Sequence, residues 1–295
     1  MTDTTTRTLD VPGASLAYDV HGPLPPEDGH PPLMMIGQPM DASGFIALTS
    51  HFPDRTVVTY DPRGLGRSTR SDDRNDQTPE QQAEDVHAVI AALDTGPVEL
   101  FASSGGAVTA LALVVAHPDD VTTLVAHEPP LIDVLPDADH ARSAQQAYQA
   151  IYQEKGWGAG MAAFMAMTAW QGEYTDAYAA QPPPDPAQFG MPTDDDGSRE
   201  DPLLSGVSNA ITDYHPDVDA LHAAPTRVVI AVGIESQNTF TGRAAESTAE
   251  ALGQEAVVFP SHHGGFLGGE FGYAGEPEAF AAKLREVLDG GPTSA

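Results

Sequence analysis

Short apolar runs and amphipathic segments alternate along most of the chain. Alternating polar and apolar residues at 7–21, around Pro12-Gly13, predict an opening β-hairpin. The apolar runs predict buried strands, and segments with apolar residues three and four positions apart predict helices between them. The predicted strands are 33–36, 55–60, 98–103, 121–126, 226–232 and 256–259, and the predicted helices are 42–51, 78–93, 105–116, 242–252 and 277–288. This order is typical of an α/β protein with a mostly parallel sheet covered on both faces.

The alternation stops between Leu131 and Asp219. Two helical segments, 141–153 and 158–170, are followed there by an irregular acidic, proline-rich stretch at 181–202. An insertion at this point is expected to cover the carboxyl edge of the sheet, where ligands of open α/β sheets bind. We therefore predict a core of residues 1–130 and 220–295 and a cap (lid) of residues 131–219.

Apolar residues in the predicted cap are candidates for lining a substrate pocket. These are Trp157, Met161, Phe164, Met165, Met167 and Trp170. Methionine-rich helices adapt to varied apolar ligands. The alternative is that these side chains form only the internal packing of the cap.

The net charge of the chain limits the classes of molecule that it is expected to bind. The 295 residues include 43 acidic and 13 basic residues, a net charge of −30. Such a field repels nucleic acid and anionic membranes. The sequence contains no cysteine, which removes thiolate nucleophiles and cysteine-based metal sites. It also shows no signal peptide and no apolar run of about 20 residues, so we expect a cytoplasmic protein without a membrane or nucleic-acid partner. Association into a homodimer is compatible with these features.

Residues 98–107 carry the main chemical signal: a buried strand, a turn of very small residues, and then a helix. A serine at such a turn is exposed as a nucleophile only if the residues two before and two after it are small. Ser104 meets this requirement with Ala102 and Gly106, whereas Ser103 would have Phe101 at one of these positions. The alternative is a serine- and glycine-rich loop that binds a phosphate.

A serine nucleophile needs a base and a group that orients the base. His262 and His263 follow the last predicted strand in a glycine-rich loop and are the candidates for the base. Two carboxylates are candidates for the orienting acid, Glu235 after the strand 226–232 and Glu128 after the strand 121–126. Both follow strand ends at the same edge of the sheet.

An oxyanion needs backbone donors near the serine. The N–H of Gly105, directly after Ser104, is one candidate donor. The second is the N–H of Gln38, after the strand 33–36, because Pro39 has no N–H.

From Leu9 to Leu288, the chain resembles the α/β hydrolases. The matching motifs are Gly37-Gln38-Pro39, Asp61-Pro62-Arg63-Gly64-x-Gly66-Arg67-Ser68, the turn at Ser104, the cap, and His263-Gly264-Gly265-Phe266. The resemblance implies an α/β-hydrolase fold with a mostly parallel eight-stranded sheet, helices on both faces, and a helical cap inserted after strand 6. It also implies that His263, rather than His262, is the base.

The chain departs from this family at the usual acid. Ser236 stands where the family usually carries an aspartate, which favours Glu128 as the acid. Haloalkane dehalogenases of one subgroup and zearalenone lactonases place a glutamate after the sixth strand in the same way. Ser103-Ser104-Gly105 and His127-Glu128 are particularly similar to the lactonases.

The resemblance implies a carboxylic ester hydrolase, an esterase or lactonase that uses Ser104, His263 and Glu128 on an apolar small molecule. Neither a cofactor nor a metal is expected. The alternatives are a cofactor-free haloperoxidase or C–C bond hydrolase with the same triad, and a non-catalytic protein of this fold that binds a small molecule.

Overall fold

A central sheet of nine strands organises the structure, a computed structural model that describes residues 3–290. The strands lie in the order β1-β2-β4-β3-β6-β7-β8-β9, and β5 pairs with β2. Their bounds are β1 Thr4–Val11, β2 Ala14–His21, β3 Leu33–Gln38, β4 Val57–Tyr60, β5 Thr69–Arg70, β6 Val98–Ser104, β7 Val121–His127, β8 Arg227–Gly233 and β9 Val257–Phe259. The predicted α/β fold and its eight strands are confirmed, and the two-residue β5 is an addition.

Helices cover both faces of this sheet. Their bounds are α1 Ile46–Ser50, α2 Pro79–Leu93, α3 Gly105–Ala116, α4 Ala138–Lys155, α5 Trp157–Thr168, α6 Asp176–Ala179, α7 Asn209–Thr212, α8 Val218–Ala223, α9 Phe240–Ala251 and α10 Pro277–Leu288. Buried apolar side chains form one core between the sheet and α2, α3 and α9, and a second core between the sheet and α1 and α10. The central strands β3 and β4 are buried along their whole length, as expected for strands covered on both faces.

The strands β4, β3, β6, β7, β8 and β9 pair in parallel with their neighbours, and β1, β2 and β5 form antiparallel pairs. The carboxyl ends of β3, β6, β7, β8 and β9 therefore meet at one edge. The residues predicted to carry the chemistry follow or end these strands, so the topology alone brings them to the same edge.

The segment between β7 and β8 contains the helices α4 to α8. It has its own apolar cluster, built around Tyr148, Tyr152 and Tyr174. The acidic stretch 181–202 carries only a short 3₁₀-helix, Pro186–Phe189. Of the core predicted as 1–130 and 220–295, residues 1–2 and 291–295 lie outside the described residues.

Asp61 and its neighbours fix the loop that follows β3. The buried Asp61 carboxylate accepts hydrogen bonds from the N–H of Ala42 at 3.0 Å and from the N–H of Arg67 at 2.8 Å. Arg63 lies with Asp61 in the loop after β4, is buried, and forms a bidentate ion pair with Asp85 of α2. These bonds tie the loop after β3 to the loop after β4 and to α2, and so support the backbone near Gln38.

The turn between β6 and α3 depends on a glycine because α3 begins against the backbone of β3. A Cβ atom on Gly106 would lie 2.8 Å from the Cα of Gly37 and 2.9 Å from the carbonyl oxygen of Ile36. Neither contact can be relieved by a side-chain rotation. Gly106→Ala is therefore expected to lower the free energy of unfolding by about 1–3 kcal/mol, measured by urea denaturation. An unchanged free energy of unfolding would contradict this close approach.

Candidate active site

Ser104 occupies the sharp turn between β6 and α3. Its backbone has φ 57° and ψ −128°, a combination that a non-glycine residue adopts only under strain. Such strain is typical of a serine raised out of a strand at a nucleophile turn. Ser104 is partly exposed, whereas Ser103 is buried with its Oγ 3.1 Å from Nδ1 of His127.

Glu128 and His263 form a hydrogen bond across the strand ends. Nδ1 of His263 lies 2.7 Å from Oε2 of Glu128, although the two residues are 135 positions apart. The His263 side chain is 41% exposed, and His263 and Ser104 both line the same cavity. In this arrangement a buried carboxylate fixes the orientation of an imidazole ring beside a serine.

The Glu128 carboxylate is completely buried and hydrogen-bonded on both oxygens. Oε1 accepts from the N–H of Gly233 at 2.9 Å, and Oε2 accepts from Oγ1 of Thr241 at 2.6 Å in addition to His263. A Cβ on Gly233 would lie 2.6 Å from the carbonyl oxygen of Ser261 and 3.2 Å from Oε1, so only glycine allows this approach. The sequence patterns did not indicate Thr241 or Gly233 as partners, because nothing local links them to Glu128.

The electrostatics keep Glu128 ionised. Burial raises the pKa of its carboxyl group, but the hydrogen bond and charge of His263, the nearby His127 and the hydroxyl of Thr241 hold the pKa below its usual range. Burial lowers the pKa of His127 to about 4, despite the neighbouring carboxylate, so this imidazole is neutral at pH 7.

The buried His127 predicts a loss of stability in mild acid. The unfolded chain binds a proton on this histidine below its ordinary pKa of about 6.5, whereas the folded protein binds it only below about 4. Between these values the unfolded state holds more protons, so stability falls with pH by about 3 kcal/mol. Urea denaturation at pH 7 and pH 4.5 should show this loss in the wild type and a smaller one in His127→Phe. Equal losses in both proteins would contradict a buried neutral histidine.

The alternative acid, Glu235, and the alternative base, His262, take no part in the Glu128–His263 hydrogen bond. Glu235 is exposed at the wall of the cavity, and its N–H donates to the carbonyl oxygen of Ser261. Both ring nitrogens of His262 face backbone groups, the carbonyl oxygen of Ala274 at 3.2 Å and the N–H of Gly264 at 3.0 Å. The structure thus brings Glu128 to His263 and engages His262 with the backbone of its own loop.

The two predicted oxyanion donors are adjacent. Gln38 ends β3 and pairs in register with Ser104. Gly105 is the first residue of α3, so its N–H has no carbonyl partner within the helix. A Cβ on Gly105 would lie 3.0 Å from the carbonyl oxygen of Gln38, which shows how closely the two backbones approach beside Ser104.

A cavity of about 640 Å³ opens above Ser104 and His263, between the sheet edge and the segment 131–219. Most of its wall is apolar. The predicted residues Phe164, Met165 and Met167 line it. The residues that sequence reasoning missed include Ile132, Tyr148, Leu203, Ile211, Phe240, Leu267, Phe271 and Tyr273.

Three predicted pocket residues do not line this cavity. Trp157, Met161 and Trp170 pack instead against the apolar cluster of the segment between β7 and β8. The indole N–H of Trp157 donates to Asp201, and that of Trp170 donates to the carbonyl oxygen of Glu173. α5 is apolar on nearly every side, so composition alone did not distinguish its cavity face from its packing face.

Within residues 3–290, one group of side chains, His87, His117 and Asp120, has the spacing of metal ligands. It lies at the far end of α3 from Ser104, and the two imidazole rings stack 3.7 Å apart and nearly parallel. An ion bound in the plane of one ring cannot lie in the plane of the other, and each ring is already hydrogen-bonded to a carboxylate.

Among residues 3–290, the helices are all too short or too polar to cross a membrane.

Comparisons with known proteins agree with the topology. Residues 37–171 match the family described as the alpha/beta hydrolase fold. An uncharacterised hydrolase of Bacillus subtilis, YraK, is 28% identical over 283 residues, covering 96% of this chain and 95% of that protein.

Among solved structures, a thermophilic esterase from Thermogutta terrifontis superposes with a TM-score of 0.63 at 20% identity and covers 98% of each chain. The enol-lactonase of Burkholderia xenovorans superposes with a TM-score of 0.60 at 18% identity, covering 96% of this chain and 100% of its own. At this identity the two structures establish the fold alone. The strand order, the matched segment and these superpositions together identify the chain as a protein of the α/β-hydrolase fold.

Proposed function

We propose that this protein is a serine hydrolase that cleaves an ester or lactone of an apolar small molecule. The observation that carries the proposal is the 2.7 Å bond between buried Glu128 and His263, at a cavity that also contains the strained Ser104. Lactones are included because Ser103-Ser104-Gly105 and His127-Glu128 resemble the corresponding residues of zearalenone lactonases. The relatives named as a hydrolase, an esterase and an enol-lactonase support the same reaction class.

In the proposed reaction, Ser104 Oγ attacks the carbonyl carbon and transfers its proton to Nε2 of His263. Glu128 stabilises the resulting imidazolium through Nδ1. The oxyanion accepts hydrogen bonds from the N–H groups of Gln38 and Gly105. His263 then protonates the leaving alcohol, and an acyl group remains on Ser104. Water, deprotonated by His263, attacks this acyl-enzyme, and the acid leaves as Ser104 regains its proton.

The cavity wall supports an apolar, uncharged substrate. Its aromatic and aliphatic side chains offer few partners for a charged group, and a net charge of −30 repels anions. We propose that the segment 131–219 acts as the cap over Ser104, since Tyr148, Phe164 and Met165 from α4 and α5 form part of this wall.

The proposal is tested by turnover and active-site labelling. A panel of p-nitrophenyl acetate, butyrate and octanoate and of macrolactones should give measurable hydrolysis of at least one class. A fluorophosphonate should modify the protein once, and peptide mass spectrometry should locate the adduct on Ser104 rather than Ser103. If the protein shows no turnover and no labelling while an apolar ligand still raises its Tm, the proposed hydrolase activity is wrong, and a binding protein is the better interpretation.

A further inference from the structure

Two pairs of consecutive polar residues lie side by side at the ends of β6 and β7. The strand register pairs Ser103 with His127, and Ser104 and Glu128 follow directly. Ser103 Oγ is 3.1 Å from Nδ1 of His127, and Nε2 of His127 is 3.6 Å from Oε1 of Glu128. Since Oε2 of Glu128 bonds to His263, one line of polar groups runs from buried Ser103 to the cavity.

The packing around His127 does not explain why this residue is a histidine. The ring is completely buried, and four phenylalanine rings surround it with centroids 5.3–6.3 Å away. These are Phe101, Phe259, Phe266 and Phe280. An apolar ring would fill this space, whereas the histidine places a polar Nε2 there, with no hydrogen-bond partner at ordinary distance among the described residues. Burying such an atom is unfavourable, so the position of Nε2 needs another explanation.

The position of Glu128 selects the tautomer of His127. A lone pair on Nε2 would face a carboxylate oxygen 3.6 Å away and would be repelled by it. A proton on Nε2 reverses this interaction and makes it attractive. Nδ1 is then the acceptor, and the Ser103 hydroxyl donates to it. Glu128 therefore selects this neutral tautomer, and the Ser103 hydroxyl, which can donate to Nδ1, is compatible with it.

We propose that Ser103 and His127 are positioning residues that keep the Glu128 carboxylate in place against Nδ1 of His263. They do so through the neutral imidazole of His127, which carries its proton on Nε2. The inference rests on the proposed function in one respect, the role of His263 as the base. It explains why Ser103, which is not at the turn, and His127, which does not reach the cavity, are polar. Oε1 of Glu128 then accepts a hydrogen bond from Gly233 and faces the Nε2–H of His127 at 3.6 Å, and Oε2 is hydrogen-bonded to Thr241 and His263.

The titratable groups that face His127 are Glu128, His263 and His262, and burial keeps His127 itself neutral, with its pKa lowered to about 4. A neutral imidazole carries one proton, so it can donate from Nε2 only while Nδ1 accepts.

The tautomer is measured directly in the wild-type protein. Long-range ¹H–¹⁵N correlation spectra of protein labelled at histidine should show His127 protonated on Nε2 and unprotonated on Nδ1 from pH 8 to pH 6. Protonation on Nδ1, or a doubly protonated ring at pH 6, would overturn the proposal. This measurement requires no variant to fold.

The catalytic consequence is measured with a pair of variants. His127→Phe fills the aromatic site without a donor, and His127→Gln can place an amide N–H where Nε2 stands. We expect His127→Phe to lower kcat about tenfold with little change in KM, and His127→Gln to restore much of the lost kcat. A purely structural role predicts that His127→Phe keeps the wild-type kcat, and that result would overturn the proposal.

The two proposals fail differently. If the wild type neither turns over esters nor takes the fluorophosphonate, the hydrolase fails, while the NMR spectrum still decides the tautomer. If the wild type is active and His127→Phe matches it, the hydrolase stands and the positioning role fails.

Discussion

Ser104→Ala is expected to lower kcat by about a millionfold and to abolish fluorophosphonate labelling, because it removes the proposed nucleophile. The alanine also lacks the hydroxyl that His263 would deprotonate, so little beyond the oxyanion donors remains to accelerate the reaction. KM should change little, since the apolar wall of the cavity is untouched. Steady-state kinetics on the best ester of the panel, with exhaustive removal of wild-type contamination, measure this loss.

Ser103→Ala is the matched control for the nucleophile. The two serines are neighbours in β6, but the Ser103 hydroxyl is buried against His127 and does not line the cavity. We expect Ser103→Ala to retain labelling at Ser104 and to keep kcat within about tenfold of the wild type, the range of a lost buried hydrogen bond. A millionfold loss in Ser103→Ala together with an active Ser104→Ala would reverse the assignment.

Glu128→Gln is expected to lower kcat by about 10⁴-fold, the typical effect of neutralising a triad acid. The glutamine has one oxygen and one amino group in place of two accepting oxygens. At least one of the donors from Gly233, Thr241 and His263 then meets an N–H, and the imidazolium of His263 loses its counter-charge. The kinetics should be accompanied by circular dichroism and urea denaturation, because an unmatched buried donor also lowers stability.

Glu235→Gln provides the control for the acid. Glu235 lines the same cavity and carries the same charge, but it is exposed and lies apart from the Glu128–His263 bond. We expect its kcat to stay within about threefold of the wild type, as for most surface substitutions. A large loss in Glu235→Gln with an active Glu128→Gln would contradict the proposed triad.

The alternation of elements was sufficient to predict a mostly parallel α/β sheet because a buried parallel strand leaves a strong local signal. β3 and β6 read as short apolar runs ended by small or polar residues. The two residues of β5 leave no such signal, since Thr69 and Arg70 become a strand only by pairing with β2. Pairing of this kind is a property of the folded chain rather than of the segment.

The site was predictable where a position along the chain determines a position in space. Gln38 and Ser104 end their strands and Glu128 directly follows its strand, and these strand ends share one edge, so the proximity of the three residues followed from the topology. The cavity wall was not predictable in this way, because α5 has apolar residues on all sides and only packing decides that Phe164 faces the cavity and Met161 does not. Thr241 lies 113 positions from the carboxylate it contacts, beyond the reach of any local pattern.

The register of β6 against β7 limits how the acid could be relocated by engineering. Ser236 follows β8, near the Gly233 that now bonds Glu128, and is an obvious position for a transplanted aspartate. Removing Glu128 at the same time would leave Nε2 of His127 without a facing carboxylate, among the four phenylalanine side chains that surround the imidazole. A design that moves the acid therefore has to replace Ser103 and His127 with apolar residues as well, so four positions change as one unit.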